Sequence, residues 1–271
     1  MQPLNQKPPV ACRHRKFKPD NPRFLKIACL VPPLLPDLRH LCLMHAADRI
    51  IYLVDEPFSR KSAAHRLQIC GPDNATAWLT LPIRAGDKKK PLEQVHAEGR
   101  SWIPDFMKRL TAAYGQATYH DFYEAELRAD FENAFRAGLR PDFSGDGIAA
   151  PQPMRLLPGI SYLHERVFSY LELPEELSQK PEYLSTEAFT RQLSGTPGDQ
   201  PLHVWIEPRG KYYRQLGNLP EHAQIYTPEV PGVTYSRGVY PAFDKTSTLS
   251  ALDLLLHHGP LSFRVLDRLL R

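Results

Sequence analysis

The sequence predicts an α/β fold: a single domain in which a mixed sheet is flanked by helices. Three observations carry that prediction. LKIACLV at 25–31 and IIYLVDE at 50–56 are short apolar runs, one stopped by PPLLP and the other by two acids. Runs of this length, bounded in this way, read as buried strands. Between them DLRHLCLMHAADR at 37–49 places Leu38, Leu41, Met44 and Ala47 at helical spacing, with Asp37 positioned as an N-cap. The rest of the chain alternates hairpin, helices and strands, with no heptad and no internal repeat.

The strand–helix–strand order is that of a βαβ unit, and such sheets bind ligands at the carboxyl ends of their strands. Asp55 and Glu56 fall at such an end. RLQIC at 66–70 and AWLTLPI at 77–83 flank the turn cluster GPDNAT, which predicts a hairpin. GDKKKPLEQV reads as a solvated basic loop. SWIPDFMKRLTAAYG (101–115) and DFYEAELRADFENAFRAG (121–138) read as helices. In the second, Phe122, Ala125, Ala129, Glu132 and Phe135 recur with helical rhythm, and Gly138 marks the stop.

LRPDFSGDGIAAPQP (139–153) is a linker or exposed loop, and SYLHERVFSYLEL the next helix. STEAFTRQLSG (185–195) is a helix closed by Gly195, and PLHVWIEP (201–208) a strand leading into RGKYYRQLGN, the start of a short helix. QIYTPEV and VTYSRGVYP have the proline-broken character of edge strands. Helices at 249–258 and 261–271 end the chain. Residues 1–24, rich in proline and basic side chains, form a flexible arm, and residues 25–271 the domain.

Composition narrows the function classes. The 27 prolines, about double the usual share, are spread through the chain and predict short elements with rigid turns. The net charge of +4 is too small and too dispersed for a dedicated nucleic-acid binder, so no nucleic-acid partner is expected. No run approaches the roughly 18 apolar residues of a membrane span, and the first residues lack the apolar stretch of a signal peptide. Cys12, Cys29, Cys42 and Cys70 have neither CxxC nor zinc-ligand spacing and read as reduced thiols. A cytoplasmic protein with no cofactor and no bound metal is the expectation; the oligomeric state is not legible.

Three stretches carry candidate chemistry. In DEPFSRKSAAHR (55–66), Arg60, Lys61 and Arg66 suit a clamp on phosphate or carboxylate, with Asp55 as base or as their orienting partner. The same residues equally suit a solvated turn with surface ion pairs. EPRGKYYR (207–214) follows an apolar strand, and its Gly210 permits close approach of an anion, although a plain strand-to-helix turn explains it as well. In DKTSTLSALDLLLHHGP (244–260), Thr248 or Ser250 caps a helix that buries Leu249, Leu252, Leu255 and Leu256 and stops at Gly259-Pro260. Asp253 is what capping does not explain. One turn before His257, it forms either an oriented general base or a structural hydrogen bond.

Four of these stretches, taken in order, resemble the WbqC-like family of bacterial surface-polysaccharide gene clusters. LSALDLLLHHGP is similar to that family's C-terminal Leu-Ser-x-x-Asp-Leu-Leu signature. LKIACLVPPLLP is similar to its opening strand and turn. YLVDEPFSRKSAAHR with AWLTLPIR resembles its acid–aromatic–Ser–basic segment and the Trp-Leu-Thr strand after it. SWIPDFMKRLTAAYGQATYHDFY resembles its Trp-containing helix. EPRGKYY is a looser match, and the whole spans about residues 25–260.

The resemblance implies transfer of a glycyl or similar acyl group to an amino sugar during O-antigen biosynthesis, with an amino sugar or sugar nucleotide as the small-molecule partner. By position it carries over Asp55 and Asp253; with His257, which pairs with Asp253 by spacing, these are the catalytic candidates. Ser59, Arg60, Lys61, Arg66, Lys211, Tyr213 and Ser250 are implied for substrate binding, with Thr80 among the matching polar positions. The family's His-Gln-Pro after the first strand is here Leu30-Val31-Pro32, and its late Asn is His257. The alternative is a non-catalytic sugar-nucleotide-binding or scaffold protein of the same family.

Overall fold

A computed structural model describes residues 24–136, 154–173, 181–196, 201–206, 219–226, 235–243 and 246–270. The N-terminal arm, the 139–153 stretch and RGKYYRQLGN lie outside the described residues. The first unit is as the apolar runs predict: strand β1 (Leu25–Leu30), helix α1 (Leu38–Ala46) and strand β2 (Arg49–Leu53). The strands pair in parallel, with Ala28 opposite Ile50. Asp37 caps α1, its carboxylate accepting the His40 N–H at 2.9 Å. Strands β3 (Arg66–Cys70) and β4 (Thr76–Thr80) form the hairpin, with Asn74 at φ 60° in its turn.

A two-residue strand β5 (His96–Ala97) pairs with β6 (Met154–Arg155), and between them run α2 (Ile103–Tyr114) and α3 (His120–Ala134). Then come α4 (Leu156–Tyr170), β7 (Glu182–Leu184), α5 (Thr186–Ser194), β8 (Leu202–Ile206) and β9 (Ala223–Tyr226). Helices α6 (Ala251–His258) and α7 (Ser262–Leu270) close the chain.

Among the described residues the central sheet has five strands in the order β7-β2-β1-β8-β9, all parallel; the antiparallel pairs stand apart from it. By sequence this is third, second, first, fourth, fifth: the order reverses between β1 and β8. Both faces are covered, as a parallel sheet requires. Ala28, Leu30, Ile50 and Tyr52 point into the larger core shared with α1 to α4 and α6. Ile27, Cys29, Ile51, Leu53, Leu202, Val204 and Ile206 point the other way, onto Phe189 and Leu193 of α5. No helix among the described residues is long and apolar enough to cross a membrane.

Several elements differ from the sequence expectation. Helix α3 buries Tyr123, Leu127, Asp130, Phe131 and Ala134, whereas Phe122 is 65% exposed and Ala125 and Ala129 face solvent. Both stripes have helical rhythm; packing on α2 and α4 selects the one with the larger side chains. The helix also ends at Ala134, ahead of Gly138, which lies outside the described residues.

Helix α4 starts at Leu156, five residues before the expected start at Ser161. Its Pro158-Gly159 looks like a break but belongs to the first turn, where proline is tolerated. Gly159 allows α3 to come close: a Cβ there would lie 2.8 Å from the Phe135 ring. The 86–95 loop is not a solvated one, because Asp87, Leu92 and Val95 are buried. Asp87 accepts from Lys90 Nζ at 2.6 Å and from the His96 backbone N–H at 2.9 Å. Residues 235–243 form no strand; they are anchored by side chains instead.

Candidate functional site at the carboxyl edge of the sheet

A doubly wound sheet opens a crevice where its strand order reverses, at the carboxyl ends of the strands. Here that edge is made by the ends of β1, β2, β7 and β8. The turn after β1 is held from below by His164 of α4, whose Nε2 lies 2.8 Å from the Pro33 carbonyl oxygen. Burial lowers the His164 pKa to about 4, so the ring is neutral and Nε2–H donates. The Leu34 N–H bonds the Ala63 carbonyl at 2.7 Å, tying this turn to the loop after β2.

The end of β2 carries two acids in different states. Asp55 is occupied: its Oδ2 accepts the Thr186 N–H at 2.8 Å and its Oδ1 the Thr186 hydroxyl at 2.9 Å. It thereby anchors the N-terminus of α5, where a carboxylate also meets the positive end of the helix dipole. Glu56 is only 9% exposed, and its Oε1 has no hydrogen-bond partner. Its backbone is clamped, since its carbonyl accepts the Leu92 N–H at 3.0 Å while Pro57 bridges to Pro91.

Burial, reinforced by the charge of Asp55, pushes the Glu56 carboxyl up to about 7. A carboxyl poised near neutrality on a fixed backbone is equipped to take up and return protons. Under the two acids, burial pushes the Cys29 thiol up, and the charges of Glu56 and Asp55 push it further. Cys29, Cys42 and Cys70 are buried free thiols.

Ser59, Arg60 and Lys61 are exposed on the loop that follows Glu56. Arg66 is half-buried and already engaged: its Nη2 donates to the Lys61 carbonyl at 2.8 Å and its guanidinium stacks over Trp78. His65 steadies the loop, with Nδ1 3.0 Å from the Ser62 carbonyl oxygen and its ring edge-on to Phe58. Lys211 and Tyr213 lie outside the described residues. Among the described residues, no group of His, Cys, Asp and Glu side chains is arranged to hold a metal.

Asp253 belongs to a second centre. It is fully buried in α6 and accepts from the Tyr235 hydroxyl at 2.5 Å. Arg237, itself 1% exposed, pairs with Asp253 Oδ1 at 3.1 Å and also donates to the Cys70 carbonyl and, at 3.3 Å, to Asn74 Oδ1. The Tyr114 hydroxyl adds to the cluster and accepts the Cys70 N–H at 3.2 Å. Burial pushes the Asp253 carboxyl up, while Arg237 and the two tyrosine hydroxyls pull it down.

His257 Nε2 is 3.9 Å from Asp253 Oδ1, too far for a hydrogen bond. Burial and the Arg237 charge drive the His257 pKa down to about 3, and its ring packs edge-on against Tyr240 and Tyr114. Ser250 is the N-cap of α6, accepting the Leu252 N–H at 3.3 Å, and its own N–H bonds the Gln68 carbonyl. The partners of Asp253 are thus Tyr235, Arg237 and Tyr114, and none of the described contacts joins this centre to Asp55.

Sequence reasoning placed Glu56 at a strand end but passed over it in favour of Asp55. The usable signal was Pro57, which rigidifies the backbone directly after an acid at the end of an apolar strand. For Tyr114, Tyr235 and Arg237 no local signal exists, because the contacts that assemble them span the chain.

No curated protein and no solved structure matches the chain. One family model does, over residues 32–137, a stretch that holds the β1 turn, both β2 acids, the basic loop, the hairpin and α2–α3. The segment that builds this side of the carboxyl edge, residues 32–137, matches the model of the WbqC-like protein family.

Proposed function

We propose that the chain is a transferase that places a glycyl or similar acyl group on the amine of an amino sugar, in the cytoplasmic stage of surface-polysaccharide (O-antigen) biosynthesis. Residues 25–271 work in this reading as one domain behind the 1–24 arm. The observation that carries it is Glu56, a clamped carboxyl with a pKa near 7 at the carboxyl edge of a WbqC-like chain. Acyl transfer to an amine needs such a base. Glu56 takes a proton from the sugar ammonium, and the freed nitrogen attacks the acyl carbonyl carbon. The tetrahedral adduct loses its second N–H proton to solvent, the bond to the donor's leaving group breaks as the centre collapses, and Glu56 returns the first proton to that group. Ser59, Arg60 and Lys61 supply hydroxyl and cationic contacts for a substrate phosphate. Asp55 holds the edge in shape, and Lys211 and Tyr213 remain substrate-binding candidates by resemblance. Asp253, His257 and Ser250 serve as the brace of α6.

The test is transfer to UDP-glucosamine from glycyl donors (thioester, adenylate and tRNA ester), read by mass spectrometry. A glycylated product whose rate rises with pH through an apparent pKa near 7, and which Glu56→Gln abolishes, supports the reading. Binding of the nucleotide sugar without product from any donor overturns it. That outcome favours the non-catalytic binding protein, for which the internal engagement of Arg66 and Asp253 speaks.

A further inference from the structure

We infer that the solvent face of the β3–β4 hairpin is a stacking platform for the sugar ring of a phosphorylated glycoside, with the Trp78 indole as its floor. The inference deepens the proposed function and rests on it for the ligand class. Of the three tryptophans, Trp102 and Trp205 are each 9% exposed, whereas Trp78 is 42% exposed. Its neighbour Leu79 turns inward and is fully buried, so alternation along β4 directs Thr76, Trp78 and Thr80 to the outside together.

The exposed ring is held in place. Arg109 of α2 donates to the Trp78 carbonyl at 3.0 Å, and Gln68 lies opposite on β3. The Arg66 guanidinium lies over one face of the ring, 4.2 Å from its centroid, and is itself tethered to the Lys61 carbonyl at 2.8 Å, so a sugar would stack on the opposite face. Leaving a rigid indole in water forgoes the stabilisation its burial would bring. A ligand recovers that stabilisation without ordering any side chain.

The surroundings select the ligand. A protein-docking patch would continue the apolar surface around the ring. Here the outward neighbours are the hydroxyls of Thr76 and Thr80, the Gln68 amide and the cations Arg66 and Arg109. A pyranose fits this pattern: one face of C–H groups for the indole, hydroxyls at the rim for Thr and Gln. The exposed Arg60 and Lys61, joined to the platform through the Lys61–Arg66 contact, match the charge of a phosphate on the sugar.

Calorimetry with UDP-glucosamine, glucosamine 1-phosphate and inorganic phosphate tests the assignment on the full chain. Trp78→Ala should weaken both sugar phosphates by about tenfold or more, as loss of a stacked ring does, while phosphate alone is unaffected. Trp78→Phe should keep most of the affinity. Acrylamide quenching of the exposed indole in the parent should fall when glucosamine 1-phosphate is added. The melting temperature of Trp78→Ala should match the parent, because the ring is not part of the core. Parental affinity in Trp78→Ala overturns the inference. So does an equal loss for phosphate, or a parent protein that binds neither sugar phosphate. If sugar phosphate binds through Trp78 but is never acylated, the transferase reading fails and the platform stands. If transfer proceeds at the parental rate and affinity in Trp78→Ala, the platform alone fails.

Discussion

Glu56 and Asp253 are both buried carboxyls, yet their surroundings differ. Asp253 sits among three donors from two separate parts of the chain: Tyr114 from α2, and Tyr235 and Arg237 from the segment before α6. Among the described residues Glu56 Oε1 has no hydrogen-bond donor; Asp253 Oδ1 has none either, but the Arg237 guanidinium stands 3.1 Å from it as a countercharge. A buried acid that collects hydrogen bonds holds a fold together. Burial pushes both carboxyls up; at Asp253 the Arg237 charge and the tyrosine hydroxyls offset part of that push, whereas at Glu56 the charge of Asp55 adds to it. Burial alone therefore does not separate a brace from a base; the list of partners does.

The largest effect should come from breaking the brace. Asp253→Ala leaves the Arg237 guanidinium buried without its countercharge, a change that typically costs about 3–5 kcal/mol. Chemical denaturation should show that loss. If Asp253→Ala melts like the parent, Asp253 is no brace and the comparison collapses.

The next effect has the opposite sign. In the unfolded chain Glu56 titrates near 4.5, and in the folded protein near 7. Between these values the folded state holds a proton that the unfolded state has released, so stability falls as pH rises and levels off above 7. Glu56→Gln removes that penalty and should stabilise the protein at pH 8 by about 3 kcal/mol, with almost no gain at pH 4. A gain that does not depend on pH would mean that the Glu56 carboxyl is not the titrating group. His257 runs the other way. With its pKa lowered to about 3, its contribution is complete above about 6.5 and is lost as the pH falls toward 3. Acid unfolding of the parent should reflect that protonation.

The smallest effect sharpens the contrast within the edge itself. Asp55→Ala leaves the Ser185 N-cap of α5 in place but removes the carboxylate that holds the Thr186 N–H and hydroxyl, and should cost about 1 kcal/mol, the usual net value of such hydrogen bonds. A cost above that of Asp253→Ala would reverse the assignment of brace and edge.

Much of the fold was legible because it is local. The apolar runs at β1 and β2, the Asp37 cap, the GPDNAT turn, and Ser250 with Gly259 at the two ends of α6 each declare themselves within a few residues. The βαβ order also brought the eye to Asp55 and Glu56. What only the tertiary structure decided is nonlocal. The strand partner of β1 on its far side is β8, some 175 residues away along the chain, and that pairing creates the switch point. The buried face of α3 was chosen by α2 and α4 from two stripes of equal rhythm. Thr186, arriving from α5, occupies Asp55, and among the described residues no donor reaches Oε1 of the adjacent Glu56. Periodicity and capping depend on neighbours in sequence, so the chain alone determines them; the state of a buried acid depends on which distant donors the packing brings to it, and only the folded molecule sets that.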